Sequence, residues 1–333
     1  MRNSLGSLPR RVTLCALFLA VVAPPGGPAV AAPPAAEAAS IEFAQRYHAL
    51  QHGGITRAAN TVITCRKPVA DRANSSRGEV RLPSGSRVSY ARLYWGGNLR
   101  VGEQKRPGDN GRVLIAEQGG SYRQVRADTL VGHRTANGAD AFQASADVTP
   151  LVRTSGAGLY TVAQVNVARG HSEAGAWGGW TLVVAYEDEA APLRHLAVWD
   201  GFDSFDARGR SRAVRLGGMP VPARAKGSVG MVTYNGDRGT TGDTLTVSTD
   251  RGRPVRLSDA ANPARDVMNS TISEPGRQSA RTPAYANTLG YDSDIFPLDG
   301  GPKAEREGLL IRLASQRESA WAGVLFAAVD AKR

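Results

Sequence analysis

The sequence predicts an all-β protein, an antiparallel β-sandwich or jelly-roll-like fold, on three observations. Segments of five to eight residues rich in β-branched and aromatic side chains recur between Gly, Pro, Asp and Asn punctuation. No stretch of 12 residues carries a convincing helical stripe. Strand-like segments do not alternate with helical ones, which removes doubly wound and α/β-hydrolase folds.

Taken in order, Arg2, Arg10 and Arg11 precede the apolar run "VTLCALFLAVVA" and a small-residue site, "AVA". That is the pattern of a secretory signal peptide, assigned to residues 1–31. The run falls short of the roughly 20 residues that span a bilayer, so no transmembrane span is expected in the mature protein. A Pro/Ala-rich tract follows, and residues 32–40 read as a disordered tether. Residues 41–333 form the β module. "SIEFAQRYHALQHGG" reads as an extended lead-in strand broken at Gly53 and Gly54, with a short helix as the alternative. "RVSYARLYW" carries bulk at odd and even positions alike, the mark of a strand between two layers. "ADVTPLVRT" and "NPARDVMNST" are each expected to make one or two helical turns. The polar stretch 206–227 is read as a long loop or as the boundary between two packed β subdomains, one large sandwich being favoured.

The full chain of 333 residues has a formal charge of +11, and losing the three signal-peptide arginines leaves +8. A basic exported surface favours anionic partners. The basic residues are scattered, which argues against a dedicated nucleic-acid groove. After cleavage Cys65 is the lone cysteine, so stability rests on the core.

Several motifs suggest chemistry and are outweighed by plainer explanations. "GHSEAG" lacks the second glycine of a nucleophile elbow and the strand-to-helix context that would expose Ser172. His48 and His52 stand four apart, but without the glutamate or third ligand of a zinc site. Glu187, Asp188, Glu189, Asp200 and Asp203 offer carboxylates for glycoside hydrolysis, which needs a pair about 5 to 9 Å apart; a strand, an acidic loop closed by Pro192 and a second strand explain them as well. Trp95, Trp177, Trp180, Trp199 and Trp321 could stack on sugar rings, but tryptophans at strand positions are read mainly as core; Trp177 and Trp180 in "GAWGGW" are the candidates for a sugar-stacking surface, Trp177 the best exposed of them. "NGDRGTTGD" and "GYDSDIFPLDG" carry Asp and Gly at the density a hard, oxygen-ligated cation requires. Asp237, Asp243, Asp292, Asp294 and Asp299 are therefore candidate calcium ligands if the loops share one end of the sandwich; turn closure by Asp and Gly is the alternative.

Together "GGITRAANTVITC", "NSSRGEVRLPSGSRVSYARLYWGG", "GGWTLVVAYEDEAAPLRHLAVWDGF", "GDRGTTGDTL", "NPARDVMNSTIS" and "NTLGYDSDIFPL" resemble the non-repeat N-terminal module of secreted bacterial surface proteins. In such proteins the module often precedes immunoglobulin-like conserved repeats. The resemblance implies an adhesin-like or surface-layer β module with no established catalytic set, and its acidic loop positions match Asp237, Asp243, Asp292 and Asp294. The expected function is a secreted, non-catalytic binding or structural module held non-covalently at the cell surface, recognising an anionic wall polymer, a glycan or another surface protein. A secreted glycan-active hydrolase is the alternative.

Overall fold

The computed structural model describes residues 41–64, 74–206, 211–249, 252–275, 280–299 and 306–331. The expected signal peptide (residues 1–31), the expected tether (32–40) and Cys65 lie outside the described residues. The first strand, β1 (Ile41–Thr61), determines the architecture. Its N-terminal half pairs with β10 (Leu193–Phe205), from Ile41 opposite Phe202 to His52 opposite Leu193. Its C-terminal half pairs with β9 (Gly178–Glu187), from Gly53 opposite Glu187 to Thr61 opposite Gly179. The strand runs unbroken through the expected break, and it is the pairing partner that changes at the glycine pair. Gly53 has φ +147°, and a Cβ there would stand 1.9 Å from the Tyr186 carbonyl oxygen, so no side chain fits.

The remaining strands are β2 (Ser75–Val80), β3 (Arg87–Asn98), β4 (Arg112–Glu117), β5 (Arg123–Arg126), β6 (Thr129–Ala136), β7 (Ala139–Asp147) and β8 (Gly158–Ala163) in the first half of the chain. The second half adds β11 (Ser211–Val221), β12 (Gly227–Tyr234), β13 (Thr244–Ser248), β14 (Val255–Leu257), β15 (Arg281–Thr282), β16 (Tyr291–Leu298), β17 (Arg306–Ala314) and β18 (Ala320–Asp330). A nine-stranded sheet runs β16-β12-β18-β10-β1-β9-β3-β7-β6, and β1 divides it into two halves. A four-stranded sheet, β11-β17-β13-β14, covers one half, and a five-stranded sheet, β15-β2-β8-β4-β5, covers the other. All pairings between these strands are antiparallel.

Three apolar clusters separate four layers. Side chains of β10 show how alternation does this: Ala197 and Trp199 enter the cluster under the four-stranded sheet, while Leu196, Val198 and Phe202 enter the cluster between the two halves of the large sheet. On β3, Leu93 and Trp95 face the five-stranded sheet, and Tyr90 and Tyr94 face the central cluster. That double burial explains the apolar residues at both parities. The result is two β-sandwiches packed through their large sheets. The passage from one to the other comes at the loop 188–192, and 211–221 within the expected boundary stretch is strand β11. "ADVTPLVRT" makes the helix α1 (Thr149–Ser155), with Pro150 in its first turn. "NPARDVMNST" forms turns without a helix.

Candidate functional site

The end of the second sandwich where β12, β14 and β17 finish and β16 and β18 begin gathers the acidic loops. Loop 235–243 is tied to its neighbours by backbone bonds from Asn235 N to Gly290 O (2.6 Å) and from Gly242 N to Arg265 O (2.7 Å). The Ser270 hydroxyl donates to Gly236 O at 2.6 Å and accepts from Gly290 N at 2.7 Å. Carboxylates complete the fastening. Asp243 Oδ2 accepts Met268 N at 3.1 Å, and Glu318 Oε2, from the turn before β18, accepts Asp237 N at 3.0 Å. Asp243 and Glu318 are also in side-chain hydrogen-bond contact, and both are buried. Burial raises the Asp243 carboxyl to about 7 and the Glu318 carboxyl to about 10, with mutual repulsion as the next cause for Glu318. Asp243 Oδ1 and Glu318 Oε1 are buried without a donor, and two raised carboxyls so placed favour holding a proton over ionising together.

Asp292 and Asp294 lie two residues apart on β16, on the same face, and both are fully buried. Asp292 Oδ1 accepts Thr271 N at 2.9 Å. Asp294 Oδ1 accepts Ser273 N at 2.8 Å, Ser273 Oγ at 2.9 Å and Thr271 Oγ1 at 3.2 Å. These bonds lay the segment 271–273 along the edge of β16. Burial raises Asp294 to about 7, opposed first by Arg57, while Asp292 is driven well above the usual carboxylate range by burial and then by Asp294. The Arg57 guanidinium, 1% exposed, donates Nη2 to Ser273 O at 2.8 Å. Beside this network opens a depression of about 500 Å³, whose lining includes Arg238, Arg281, Asp266, Asn269, Thr271 and Ser273.

Of the five aspartates expected to converge, Asp237 and Asp243 meet one another and Glu318, and Asp292 and Asp294 form the adjoining network. Asp299 does not join them. It is exposed, one residue beyond the far end of β16. Seven residues of strand, on the order of 23 Å, separate it from Asp292. Among the described residues no group of three or more His, Cys, Asp or Glu side chains is set to hold a metal ion. Glu318 and Asp266 were missed: an acid in the short turn "SQRES" between two apolar strands gives no sign of being buried.

The tryptophan surface is corrected. Trp177 is 1% exposed and Trp180 is 0% exposed. Trp177 packs 5.2 Å from Trp321 and 5.9 Å from Tyr234 between ring centroids, and its Nε1 donates to Ala174 O at 3.0 Å. Trp180 Nε1 donates to Ser76 Oγ at 2.9 Å. The surrounding glycines draw the backbone in instead of presenting the indole: Gly290, with φ +74°, lies so close that a Cβ would meet that of Trp177 at 2.8 Å.

The carboxylates of 187–203 are dispersed. Asp200 is bonded by Arg46 Nε at 2.6 Å and Tyr94 Oη at 3.2 Å in the central interface. Asp203 pairs with Arg212 at 2.7 Å and Arg134 at 3.4 Å, and Glu187 pairs with Arg87. Asp188 caps its own loop by accepting Ala190 N at 3.0 Å. Glu187 and Asp200 align with Gly53 and Ala44, nine residues apart on β1. His48 stacks on His195, with Nε2 3.3 Å from Nδ1, and His52 Nδ1 lies 2.7 Å from Ala191 O. Ser172 sits in a turn region with no helix after it.

No family model matches the chain, and no curated protein matches it. Among solved structures it is similar to the major capsid protein P2 from bacteriophage PM2, at 13% identity over 84% of this chain and 99% of that chain, with a TM-score of 0.20. It is similar also to the STIV MCP, at 11% identity over 88% of this chain and 97% of that chain, with a TM-score of 0.18. Likenesses this distant carry no functional argument, and the all-β sandwich architecture stands on the strand pairing itself. No helix among the described residues is long and apolar enough to cross a membrane.

Proposed function

We propose that the chain is a secreted, non-catalytic module of the cell surface, adhesin-like in role, that binds an anionic wall polymer, a glycan or another surface protein. The observation that carries this reading is the loop end of the second sandwich. There, loops from three connections are fastened to one another and to β16 by buried Asp and Glu side chains beside an open depression with Arg238 and Arg281 in its lining. Loops held rigid on a sandwich end make a recognition surface whose shape costs little to maintain on binding. The basic mature chain suits an anionic partner, and the tying of Glu187, Asp200 and Asp203 to arginines suits a role without acid/base chemistry.

The test is retention of the mature chain, residues 32–333, on purified bacterial cell walls, with a glycan array in parallel. Binding that falls about tenfold in Arg238→Gln/Arg281→Gln is expected. Release of reducing sugar from the walls, or no retention on walls, glycans or surface-protein extracts, overturns the proposal.

A further inference from the structure

The hydroxyl of Thr271 has one proton and three acceptors around it. Its Oγ1 lies 2.8 Å from Asn262 Oδ1, 2.8 Å from Asn269 Oδ1 and 3.2 Å from Asp294 Oδ1. A hydroxyl donates once, so the other two contacts set oxygen lone pairs against each other. Turning the amides over does not relieve this. Asn269 Nδ2 donates to Ala261 O at 2.8 Å. Asn262 Nδ2 donates to Ser273 Oγ at 2.7 Å and stands 3.3 Å from both carboxylate oxygens of Asp259. A flip would aim the first amide oxygen at the Ala261 carbonyl and the second at the Asp259 carboxylate, acceptors both.

The shortage of donors continues into the sheet. Asp294 Oδ2 is buried with no hydrogen-bond partner, and so is the hydroxyl of Thr233, which stands on β12 directly opposite Asp292. Cross-strand partners share a face, so the Thr233 hydroxyl is directed to the same side of the sheet as Asp292 and Asp294. Charge points the same way. Arg57 brings one buried positive charge to the buried pair Asp292 and Asp294, and the balance falls to protons or to a cation.

Converging oxygens that lack donors are what a hard cation binds. Ligands at about 2.4 Å around a pentagonal ring stand about 2.8 Å apart, which is the spacing of Thr271 Oγ1 from the two amide oxygens. Magnesium keeps several of its waters, whereas amide, hydroxyl and carboxylate oxygens together suit calcium. Asn269 and Thr271 line the depression, which gives an ion its way in. The set draws on two carboxylates with neutral oxygens around them, so it does not need a third acid.

We propose that Asn262, Asn269, Thr271 and Asp294 bind a calcium ion beside β16, with Asp292 supplying the second negative charge. The ion joins the loop that carries Asn262 and Asn269 to β16 and so holds the wall of the depression. It is separate from the Asp243–Glu318 pair, and it does not depend on what the depression recognises.

The probe is calcium chloride alone. The mature chain, residues 32–333, is stripped with chelator, desalted and titrated by calorimetry in sodium chloride at mildly alkaline pH, where Asp294 is ionised; thermal unfolding with calcium and with chelator follows. One ion per chain is expected, with a Tm rise on the order of 5 °C at saturation and a much weaker response to magnesium. Asn269→Ala removes a ligand and is expected to weaken calcium binding about tenfold or more. Asp294→Asn keeps the shape, removes the charge and is expected to abolish the Tm shift; it remains readable if Asn269→Ala does not fold, because losing a buried charge spares the metal-free fold. Glu318→Gln is expected to keep the full response. A native chain indifferent to calcium overturns the site and leaves buried water to fill it. A response unchanged in Asn269→Ala and Asp294→Asn also overturns it, as does an equal response to magnesium, or a loss confined to Glu318→Gln, which would place the ion between Asp243 and Glu318.

Discussion

Glu318→Gln should remove a pH dependence built into the loop end. Burial and mutual repulsion raise both Asp243 and Glu318, so the folded state is expected to hold protons that the unfolded state releases. For acids whose folded values are raised, stability is fully present below the unfolded value and is lost as pH rises through the folded one. A rise of Asp243 from 3.8 to about 7 is about three pH units at about 1.4 kcal/mol each. Asp243 alone therefore withdraws on the order of 4 kcal/mol between about pH 4 and pH 7, roughly a 10 °C fall in Tm for a chain of this size, and Glu318 adds to the fall in the same direction. In Glu318→Gln the amide nitrogen can donate to Asp243 Oδ1, the carboxylate no longer needs the proton, and the profile becomes shallower over that window, keeping only the part that Asp292 and Asp294 contribute. The assay is thermal unfolding of both proteins across the window, with chelator present throughout. Parallel profiles would refute the shared proton. A calcium-dependent recovery of the native chain at the alkaline end, absent from the variant, would also refute it and put a cation between the two carboxylates.

Other perturbations test the framework. Gly53→Ala should cost on the order of 3 kcal/mol in urea unfolding, because its Cβ meets the Tyr186 carbonyl. Gly85→Ala, with positive φ but open space around it, should cost only about 1–2 kcal/mol; equal costs would remove the special role of the sheet crossing. Trp177→Ala should destabilise by about 3–5 kcal/mol, and a variant of native stability with weakened sugar binding would restore the stacking surface. The His195 pKa is lowered from 6.5 by burial and then by His48, so its contribution is present above the ordinary histidine value and lost as pH falls through it. Its NMR titration should show a midpoint below the ordinary 6.5; a midpoint above that would contradict the packing.

What the sequence made legible follows from which interactions are local. Alternation, turn residues and the proline at the start of α1 act over a few positions, so the all-β class and the strand at "RVSYARLYW" were readable, while the strand expected to break at Gly53 and Gly54 runs on and changes partner there. The pairing of β1 with β9 and β10 depends on partners more than 100 residues away, and no local feature announced two sandwiches sharing one strand. The same divide runs through the site. Asp and Gly density pointed to the loops that do meet at one end, yet Asp299 was included because sequence nearness to Asp294 conceals that five residues of extended chain carry it about 16 Å away. Trp177 was singled out as the best exposed candidate because glycines signal exposure when they mark a turn and burial when they let two backbones touch. Only the partner strand separates those cases. Glu318 carries the same lesson for charge. An acid in a surface turn and an acid whose proton bolts two loops together have the same local sequence, and it is Asp243, 75 positions earlier, that makes the difference.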